Sequence, residues 1–204
     1  MQAASRAFRR QGLHATGMRD IAAESKMHVG NLYYYFSNKQ ELLAFCQEQT
    51  LAGLIDLAER VQEQPWQADK KLHRLITGHV TCLNDEIPGS LAHLEVEALE
   101  GPWKSEILEQ RNRYEAILCQ IIDEGIETGL FRAVDASVAA KAILGATNWT
   151  VKWFQPRGSR TSREIGEEFA LLLVRGLLAP GQEPAISETG DQPAPDHARE
   201  PRRT

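Results

Sequence analysis

Four consecutive aromatic residues give the chain its most distinctive candidate surface chemistry. Tyr33, Tyr34, Tyr35 and Phe36 follow one another, and on a helix they would point around about a full turn, so that some of them must face solvent. Phenolic hydroxyl groups suit contacts to phosphate oxygens, and the nearby Asn31 has the donor and the acceptor that match an adenine edge. These residue types therefore indicate contacts to nucleic acid.

The aromatic run lies in a segment whose pattern predicts a helix-turn-helix. Apolar residues at helical spacing predict three short helices, at about 1–11, 17–25 and 29–35. Thr16 is placed to cap the second helix, and in this motif the second of two short helices enters the major groove. The alternative is that the aromatic residues only pack a small core, which we expect for Leu32 and Phe36 but not for three consecutive tyrosines.

The charge distribution favours a nucleic-acid contact that is confined to this end of the chain. Residues 1–45 carry six Lys and Arg against three Asp and Glu, whereas the whole chain has a formal net charge of −5. A basic head on an acidic body suits a protein that touches phosphate with one small domain. The excess is mild, and domains that bind nothing charged also carry it.

The rest of the chain has helical periodicity nearly everywhere, so the sequence predicts an all-α fold. A capping box at Ser37–Gln40 begins a long helix that ends near Gln64. Further helices are expected at about 67–84, 90–100, 105–128, 135–154 and 162–178. Asp135 and a second capping box, Thr161–Glu164, begin the last two. The tail at 180–204 holds five of the nine prolines and few apolar residues, which predicts disorder.

One segment of the body combines tryptophans with basic residues. Trp149 and Trp153 are spaced i, i+4 on one helix face, and no acidic residue occurs between 151 and 163. Charge-assisted hydrogen bonds and stacking could hold a phosphorylated, partly aromatic ligand here. The alternative is a pair of core or interface tryptophans beside a solvated loop. The basic residues are Lys152, Arg157, Arg160 and Arg163.

The sequence contains no pattern for catalysis or metal binding. Its three cysteines, at 46, 82 and 119, and its six histidines have no zinc-ligand spacing, and HExxH, GxSxG and phosphate-loop motifs are absent. No apolar run approaches the roughly 20 residues of a membrane span, and the N-terminus has no apolar core of a signal peptide. We therefore predict no enzyme, no metal, no cofactor and no membrane partner, and a place in the reducing cytoplasm.

The head resembles the DNA-binding domain of TetR-family transcriptional regulators. The family pattern T-x-x-R-D-I-A, then about six residues, then G-x-L-Y-x-Y-F-x-x-K-x-x-L-L is matched from Thr16 to Leu43. The resemblance implies a helix-turn-helix domain at 1–43 and a helical body at 44–179, whose last two helices form a homodimer interface. It implies that the head contacts the phosphates of operator DNA and also its base edges. The implied DNA-binding residues are Thr16, Arg19, Val29, Gly30, Asn31, Tyr33, Tyr34, Tyr35 and Lys39.

Two features of the head depart from the family pattern. Lys26 stands in the turn where the family usually has glycine, and His28 stands where it has a small capping residue. In addition, Met1 lies only two residues before Ala3, so part of the family's basic arm is missing from the sequence. We therefore expect a slightly strained turn, and either fewer phosphate contacts or a true start site further upstream.

The tryptophan segment resembles the C-terminal part of TetR regulators that respond to coenzyme A thioesters. Their pattern G-x-x-N-W-x-x-x-W-[YF]-x-P-x-G is matched from Gly145 to Gly158. The resemblance implies a repressor that an acyl-CoA effector releases from its operator. The alternatives are a regulator of multidrug or aromatic-ligand type and a helical interaction module that no longer binds DNA. The implied effector-binding residues are Asn148, Trp149, Lys152, Trp153 and Arg157.

Overall fold

The computed structural model describes residues 2–13, 15–86 and 93–184. Within these ranges the chain is helical, with no strand beyond an isolated bridge between Phe131 and Leu178, which confirms the all-α prediction. Most of the tail predicted at 180–204 lies outside the described residues. The α-helices are α1 Gln2–Gln11, α2 Met18–Glu24, α3 Val29–Tyr35, α4 Lys39–Gln62, α5 Ala68–Thr81, α6 Gly101–Glu127, α7 Ala136–Trp153 and α8 Ser162–Leu177.

Helices α1 to α3 form a small head whose buried apolar side chains are continuous with the main core of the body. Phe8, Ile21 and Leu32, one from each helix, are buried, as the helical spacing predicts. Phe36 is half-buried and its ring lies 5.3 Å from that of Phe45 on α4. The head is therefore held to the body by the start of the long helix α4.

The N-termini of α2 and α4 lie one residue later than the predicted caps. Gly17 precedes α2, and the Asp20 carboxylate accepts a hydrogen bond from the Gly17 N–H at 2.7 Å. The prediction that Thr16 caps this helix is wrong because its hydroxyl donates to carbonyl groups at the end of α1. In α4 the cap is Asn38, whose Oδ1 accepts from the Glu41 N–H at 2.9 Å.

Helix α5 is the centre of the body, since α4, α6, α7 and α8 all pack against it. Its inner face carries the buried residues Leu72, Leu75 and Ile76. The crossing with α8 is close: a Cβ on Gly166 would lie 3.0 Å from the backbone of Thr77. The body is therefore a bundle of long helices around a main apolar core, with a smaller separate cluster of Val80, Phe154 and Ile165.

The segment between α5 and α6 differs most from the predicted helices. The α5 helix continues as a π-helix, Cys82–Glu86, and of the predicted 90–100 helix the described part contains a short 3-10 turn, Val96–Ala98. Helix α6 begins at Gly101, four residues before the predicted start. Proline is compatible with the first turn of a helix, where its missing N–H is not needed, so Pro102 does not break it.

The beginnings of α7 and α8 agree with the sequence prediction. Asp135 Oδ1 accepts from the Val138 N–H at 3.0 Å, and Thr161 and Glu164 form the predicted capping box. Among the described residues, no helix is long and apolar enough to cross a membrane.

Candidate DNA-binding head and ligand-binding body

The turn between α2 and α3 is held by backbone hydrogen bonds in an unusual conformation. Lys26 has a φ of +55°, in the left-handed region that glycine adopts without steric cost. Met27 N–H donates to the Ala22 carbonyl at 3.0 Å, and His28 Nδ1 accepts from the Gly30 N–H at 3.2 Å. The strained turn expected from Lys26 is confirmed, and His28 acts as the cap of α3.

Most of the predicted DNA-binding residues lie on the solvent-facing side of this motif. The exposed fractions of Tyr33, Tyr34 and Tyr35 are 50%, 84% and 63%. Leu32, between them and the core, is buried and fixes the rotation of α3. Because α3 is anchored on one side only, the tyrosines are presented to solvent. Arg19, Gly30 and Asn31 are also exposed, and Val29 is half-buried.

Thr16 and Lys39 have hydrogen-bond partners inside the head. The buried Thr16 donates its hydroxyl proton to the Gly12 carbonyl at 2.6 Å, and it has no second proton to offer a phosphate. Lys39 Nζ donates to the Leu13 carbonyl at 2.5 Å, and partial burial lowers the pKa of Lys39. An ammonium group carries three donors, so this bond does not by itself exclude a phosphate contact. The arrangement disfavours the contact predicted for Thr16.

Two arginines of α1 are paired within the head. Arg6 Nε lies 2.7 Å from Glu24 Oε1, and an Arg10 guanidinium nitrogen lies 2.8 Å from Glu24 Oε2. Hydrogen bonding to Arg6 is the largest cause that lowers the pKa of the Glu24 carboxyl. One carboxylate at the end of α2 thus binds two cations of α1. We refer to Arg6, Arg10 and Glu24 as the head clamp.

The predicted effector-binding residues of α7 are divided between two faces of that helix. Asn148 is half-buried and points towards α5, where its Oδ1 lies 3.1 Å from His79 Nε2. Trp149 and Trp153 lie on the outer side, with exposed fractions of 59% and 45%. The structure therefore does not bring Asn148 and the two tryptophans together in one pocket of the single chain.

The basic residues of the tryptophan segment mostly have acidic partners from other parts of the chain. Lys152 Nζ lies 3.6 Å from Glu95 Oε1. Arg160 and Arg163 pair with acidic residues of α8 at 3.5 and 2.9 Å. The fourth, Arg157, is exposed in the loop after α7. The local absence of acidic residues in the sequence therefore overstates the positive charge of this surface.

A pocket of about 430 Å³ lies between the end of α7 and the start of α8. Aromatic rings form part of its wall, and the centroids of Trp153 and Phe169 are 6.2 Å apart. The ion pair of Arg160 with Glu168 lies at its edge. The lining residues are Trp153, Phe154, Gln155, Gly158, Ser159, Arg160, Ile165, Glu168 and Phe169.

Inside the body, a buried histidine links three helices through hydrogen bonds. His79 Nδ1 lies 2.9 Å from the Tyr114 hydroxyl of α6, and its Nε2 faces Asn148 Oδ1 of α7. Since the amide oxygen can only accept, Nε2 carries the proton and Nδ1 accepts from Tyr114. Burial lowers the pKa of His79 to about 4, so the imidazole is neutral at neutral pH. We call these three residues the polar chain.

Sequence reasoning did not identify the polar chain. Its members come from three helices and are separated by at least 34 residues, from Tyr114 to Asn148. No local spacing joins them, and a single histidine in an apolar helix gives no signal of its own. The available hint was that His79 falls on the apolar side of a predicted helix, where a polar group needs a partner.

The outer faces of α7 and α8 carry large apolar side chains without a cover in the single chain. Val138, Trp149 and Trp153 follow one stripe of α7, and Leu172 lies on α8 with an exposed fraction of 71%. Large exposed apolar side chains on neighbouring helices are typical of an interface.

Two family models match the chain. The model of bacterial regulatory proteins of the tetR family matches residues 1–45, and a model of the tetracyclin repressor-like C-terminal domain matches residues 65–177. Together they cover both the head and the body described above.

Relatives and solved structures resemble the chain over most of its length. The HTH-type transcriptional repressor KstR2 of Mycobacterium tuberculosis is 26% identical over 189 residues, covering 89% of this chain and 92% of the relative. The crystal structure of PfmR from Thermus thermophilus superposes with a TM-score of 0.78 at 28% identity, covering 87% of this chain and 98% of that one. A structure of AibR with isovaleryl coenzyme A and operator DNA has a TM-score of 0.74 at 24% identity, covering 85% and 95%.

Proposed function

The chain belongs to the TetR family of bacterial regulatory proteins, and on that premise we propose that it is a homodimeric repressor whose operator affinity a coenzyme A thioester lowers. Members of this family are transcription regulators rather than enzymes. The observation that carries the DNA-binding part is the solvent-facing surface of α3, where three tyrosines and Asn31 are exposed around one buried anchor, Leu32.

The proposed DNA contacts follow from the exposed groups of the helix-turn-helix. Asn31 and Val29 begin the recognition helix and approach base edges. Arg19, Tyr33 and Tyr34 hold the head on the phosphates and sugars. Gly30 allows close approach at the start of the helix, and Tyr35 is base-proximal. Lys39 adds a phosphate contact from the start of α4, where it also binds the Leu13 carbonyl.

The proposed effector is supported by the tryptophan segment and by AibR, which shares the fold and was solved with isovaleryl coenzyme A. The pocket beside Trp153 offers aromatic walls for the adenine or pantetheine part of such a ligand. Lys152 and Arg157 would bind its phosphates, Trp149 would cover it from the outer side of α7, and Asn148 would meet its acyl part from the inner face.

A homodimer is supported by Val138 of α7 and Leu172 of α8, which are exposed apolar side chains outside the two tryptophans that we assign to the effector. Two heads must lie about 34–36 Å apart, or a multiple of this, to reach successive major grooves. Replacing Leu172 by arginine should shift the chain to monomers in sedimentation velocity. Leu108→Arg, at an exposed position on α6, is the matched control and should leave the dimer intact. A dimer that survives Leu172→Arg would place the interface elsewhere.

Release of DNA requires that the effector prefers the conformation in which the heads fit the operator poorly. The effector then lowers DNA affinity by the ratio of its affinities for the two conformations. Several polar contacts join α4, which carries the head, to α6 and the residue before it. The Glu100 N–H donates to Gln40 Oε1 at 3.0 Å, Gln62 Nε2 donates to Gln120 Oε1 at 2.7 Å, and Arg113 is paired with Glu59. A shift of α6 would therefore displace α4 and the head with it.

Fluorescence anisotropy on the chain's own upstream intergenic DNA tests the proposal. We expect binding that is selective against a scrambled duplex and that weakens with salt. Adding isovaleryl or hexanoyl coenzyme A should release the DNA, whereas free coenzyme A and the free acids should not. Release by cationic dyes or free aromatic acids alone would favour the multidrug alternative, and no selective binding would favour the interaction module.

A further inference from the structure

A second polar group lies next to the polar chain and is not explained by the fold. Arg111 of α6 is half-buried, one turn before Tyr114, and a guanidinium nitrogen donates to the His93 carbonyl at 2.8 Å. His93 is 3% exposed, and its Nδ1 has no hydrogen-bond partner among the described residues. Both groups therefore keep hydrogen-bonding capacity inside the body.

The charge of Arg111 is not balanced within the described part of the chain. The Glu115 carboxylate acts electrostatically on Arg111 and raises its pKa, but that carboxylate is paired with Lys141 at 2.5 Å. No carboxylate whose side chain the structure describes forms an ion pair with Arg111. The two imidazoles nearby cannot balance this charge, because an imidazole is either neutral or cationic. Burial lowers the pKa of both His79 and His93, which favours their neutral forms. A half-buried cation without a counter-ion costs stability unless an anion binds to it.

We propose that Arg111, with His93 and the polar chain beside it, binds a carboxylate of the effector, so that the effector is an acyl compound with a free acidic group. This inference rests on the proposed function, since it assumes that the body takes an effector. The guanidinium fork matches the two oxygens of a carboxylate. A phosphate, which carries close to two negative charges, would leave one of them uncompensated beside this single cation.

The proposal narrows the class of effector. In a simple acyl-CoA the only carboxyl group of the acid is used in the thioester, so the acyl part keeps no carboxylate for Arg111 to bind. A thioester of a dicarboxylic acid keeps a free carboxylate. So does a dicarboxylic acid without coenzyme A, and the two sources of the same group must be separated by experiment.

Calorimetry on the unmodified chain with chain-matched ligands provides the test. Adipoyl coenzyme A is expected to bind about tenfold more tightly than hexanoyl coenzyme A, the ratio that one charge-assisted hydrogen bond is worth. Suberoyl and octanoyl coenzyme A repeat the comparison at a second length. Equal affinities within both pairs would overturn the carboxylate site while leaving the thioester proposal standing.

Two variants test whether Arg111 causes the preference for adipoyl coenzyme A. Arg111→Gln should abolish the tenfold preference, and Arg111→Lys, which keeps the charge but loses the planar fork, should retain part of it. Arg60→Gln, at an exposed position on α4, is the control and should keep the full preference. A preference that survives Arg111→Gln in the folded protein would contradict the assignment.

The free acids distinguish the failure of this inference from the failure of the proposed function. Both free acids, adipate and hexanoate, have a carboxylate that Arg111 can bind. Binding of these acids that is lost in Arg111→Gln, with no binding of either thioester, would support the carboxylate site and overturn the coenzyme A proposal. Binding of neither acids nor thioesters would overturn both.

Discussion

The head and the body of this molecule place their functional groups in opposite ways. In the head, candidate residues are close in sequence, lie on one exposed surface, and are held by a few buried anchors such as Leu32. In the body, the polar chain joins three helices from residues far apart in sequence, and His79 within it is buried. A sequence pattern can describe the first arrangement but not the second.

This difference has an energetic side as well. Exposed groups that contact a partner contribute little to folding, so they can be replaced without loss of structure. Buried polar groups contribute both to folding and to ligand binding. Each of them needs a hydrogen-bond partner in the folded chain before any ligand binds. Function and stability should therefore separate in the head and remain coupled in the body.

The strongest test that function and stability are separate in the head is a double substitution there. Replacing Arg19 and Tyr33 by alanine should lower operator affinity about a hundredfold, because two backbone or base contacts are lost. The melting temperature should hardly change, since both side chains are exposed. Arg74→Ala, at an exposed position on α5, is the control for anisotropy and should bind DNA like the original chain. Unchanged operator affinity in the double variant would make the head assignment wrong.

A substitution that disturbs packing in the body should instead lower the stability of the fold. A Cβ on Gly125 would lie 2.1 Å from the Phe131 ring, so Gly125→Ala should lower the free energy of unfolding by about 2–3 kcal/mol through overpacking. Gly176→Ala, where a Cβ would meet no atom within 4 Å, is the matched control and should cost nothing. Urea denaturation measures both, and equal stabilities would mean that the end of α6 adapts freely.

Loss of folding stability at acidic pH should come from groups in the body. The folded pKa of His79 is about 4 against an ordinary value of 6.5, so the unfolded chain binds a proton first as pH falls. The stability that neutral His79 gives is complete above pH 6.5 and is lost progressively towards pH 4. The slope from this residue is at most about 1.4 kcal/mol per pH unit.

Urea denaturation at several pH values between pH 6.5 and pH 5 measures this slope. The range stops at pH 5 because carboxyl groups also begin to bind protons below it and would change the stability as well. The same direction is expected for His73 and His93, whose pKa values burial also lowers. His79→Gln should therefore reduce the slope without removing it. An identical slope in His79→Gln would contradict the buried neutral state.

The smallest effect concerns the turn of the head. Lys26→Gly should raise the free energy of unfolding by about 0.5–1 kcal/mol, because glycine adopts the left-handed conformation without the cost that a side chain carries. Lys26→Ala keeps the Cβ and serves as the control, with no gain expected. Thermal unfolding distinguishes them, and a loss of stability in the glycine variant would show that the turn depends on the lysine side chain.

The helices and the helix-turn-helix could be predicted from sequence because both follow from local periodicity and motif spacing. The caps were harder, since adjacent polar residues compete: Thr16 and Gly17 are both plausible before α2, and the carbonyls of α1 decide between them. The separation of Asn148 from Trp149 depends on how α7 is rotated against its neighbours, which the apolar pattern gives only coarsely.

The partners of charged groups were the least predictable feature. Lys152 and Arg160 pair with acidic residues outside the basic segment. The charge of Arg111 lacks an ion-pair partner because Glu115 on the same helix is paired with Lys141. Such relations depend on the whole packed arrangement rather than on any stretch of sequence.

Under the proposed function, the head clamp also bears on how the protein would find its operator among unrelated DNA. Attraction to random sequence comes from cations that displace counter-ions from the phosphates, and it grows with their number. Because Glu24 already holds Arg6 and Arg10, these arginines contribute less to that general attraction. A regulator of this design spends less of its time bound at wrong sites on the chromosome, and its choice of site depends more on the few residues that meet the bases.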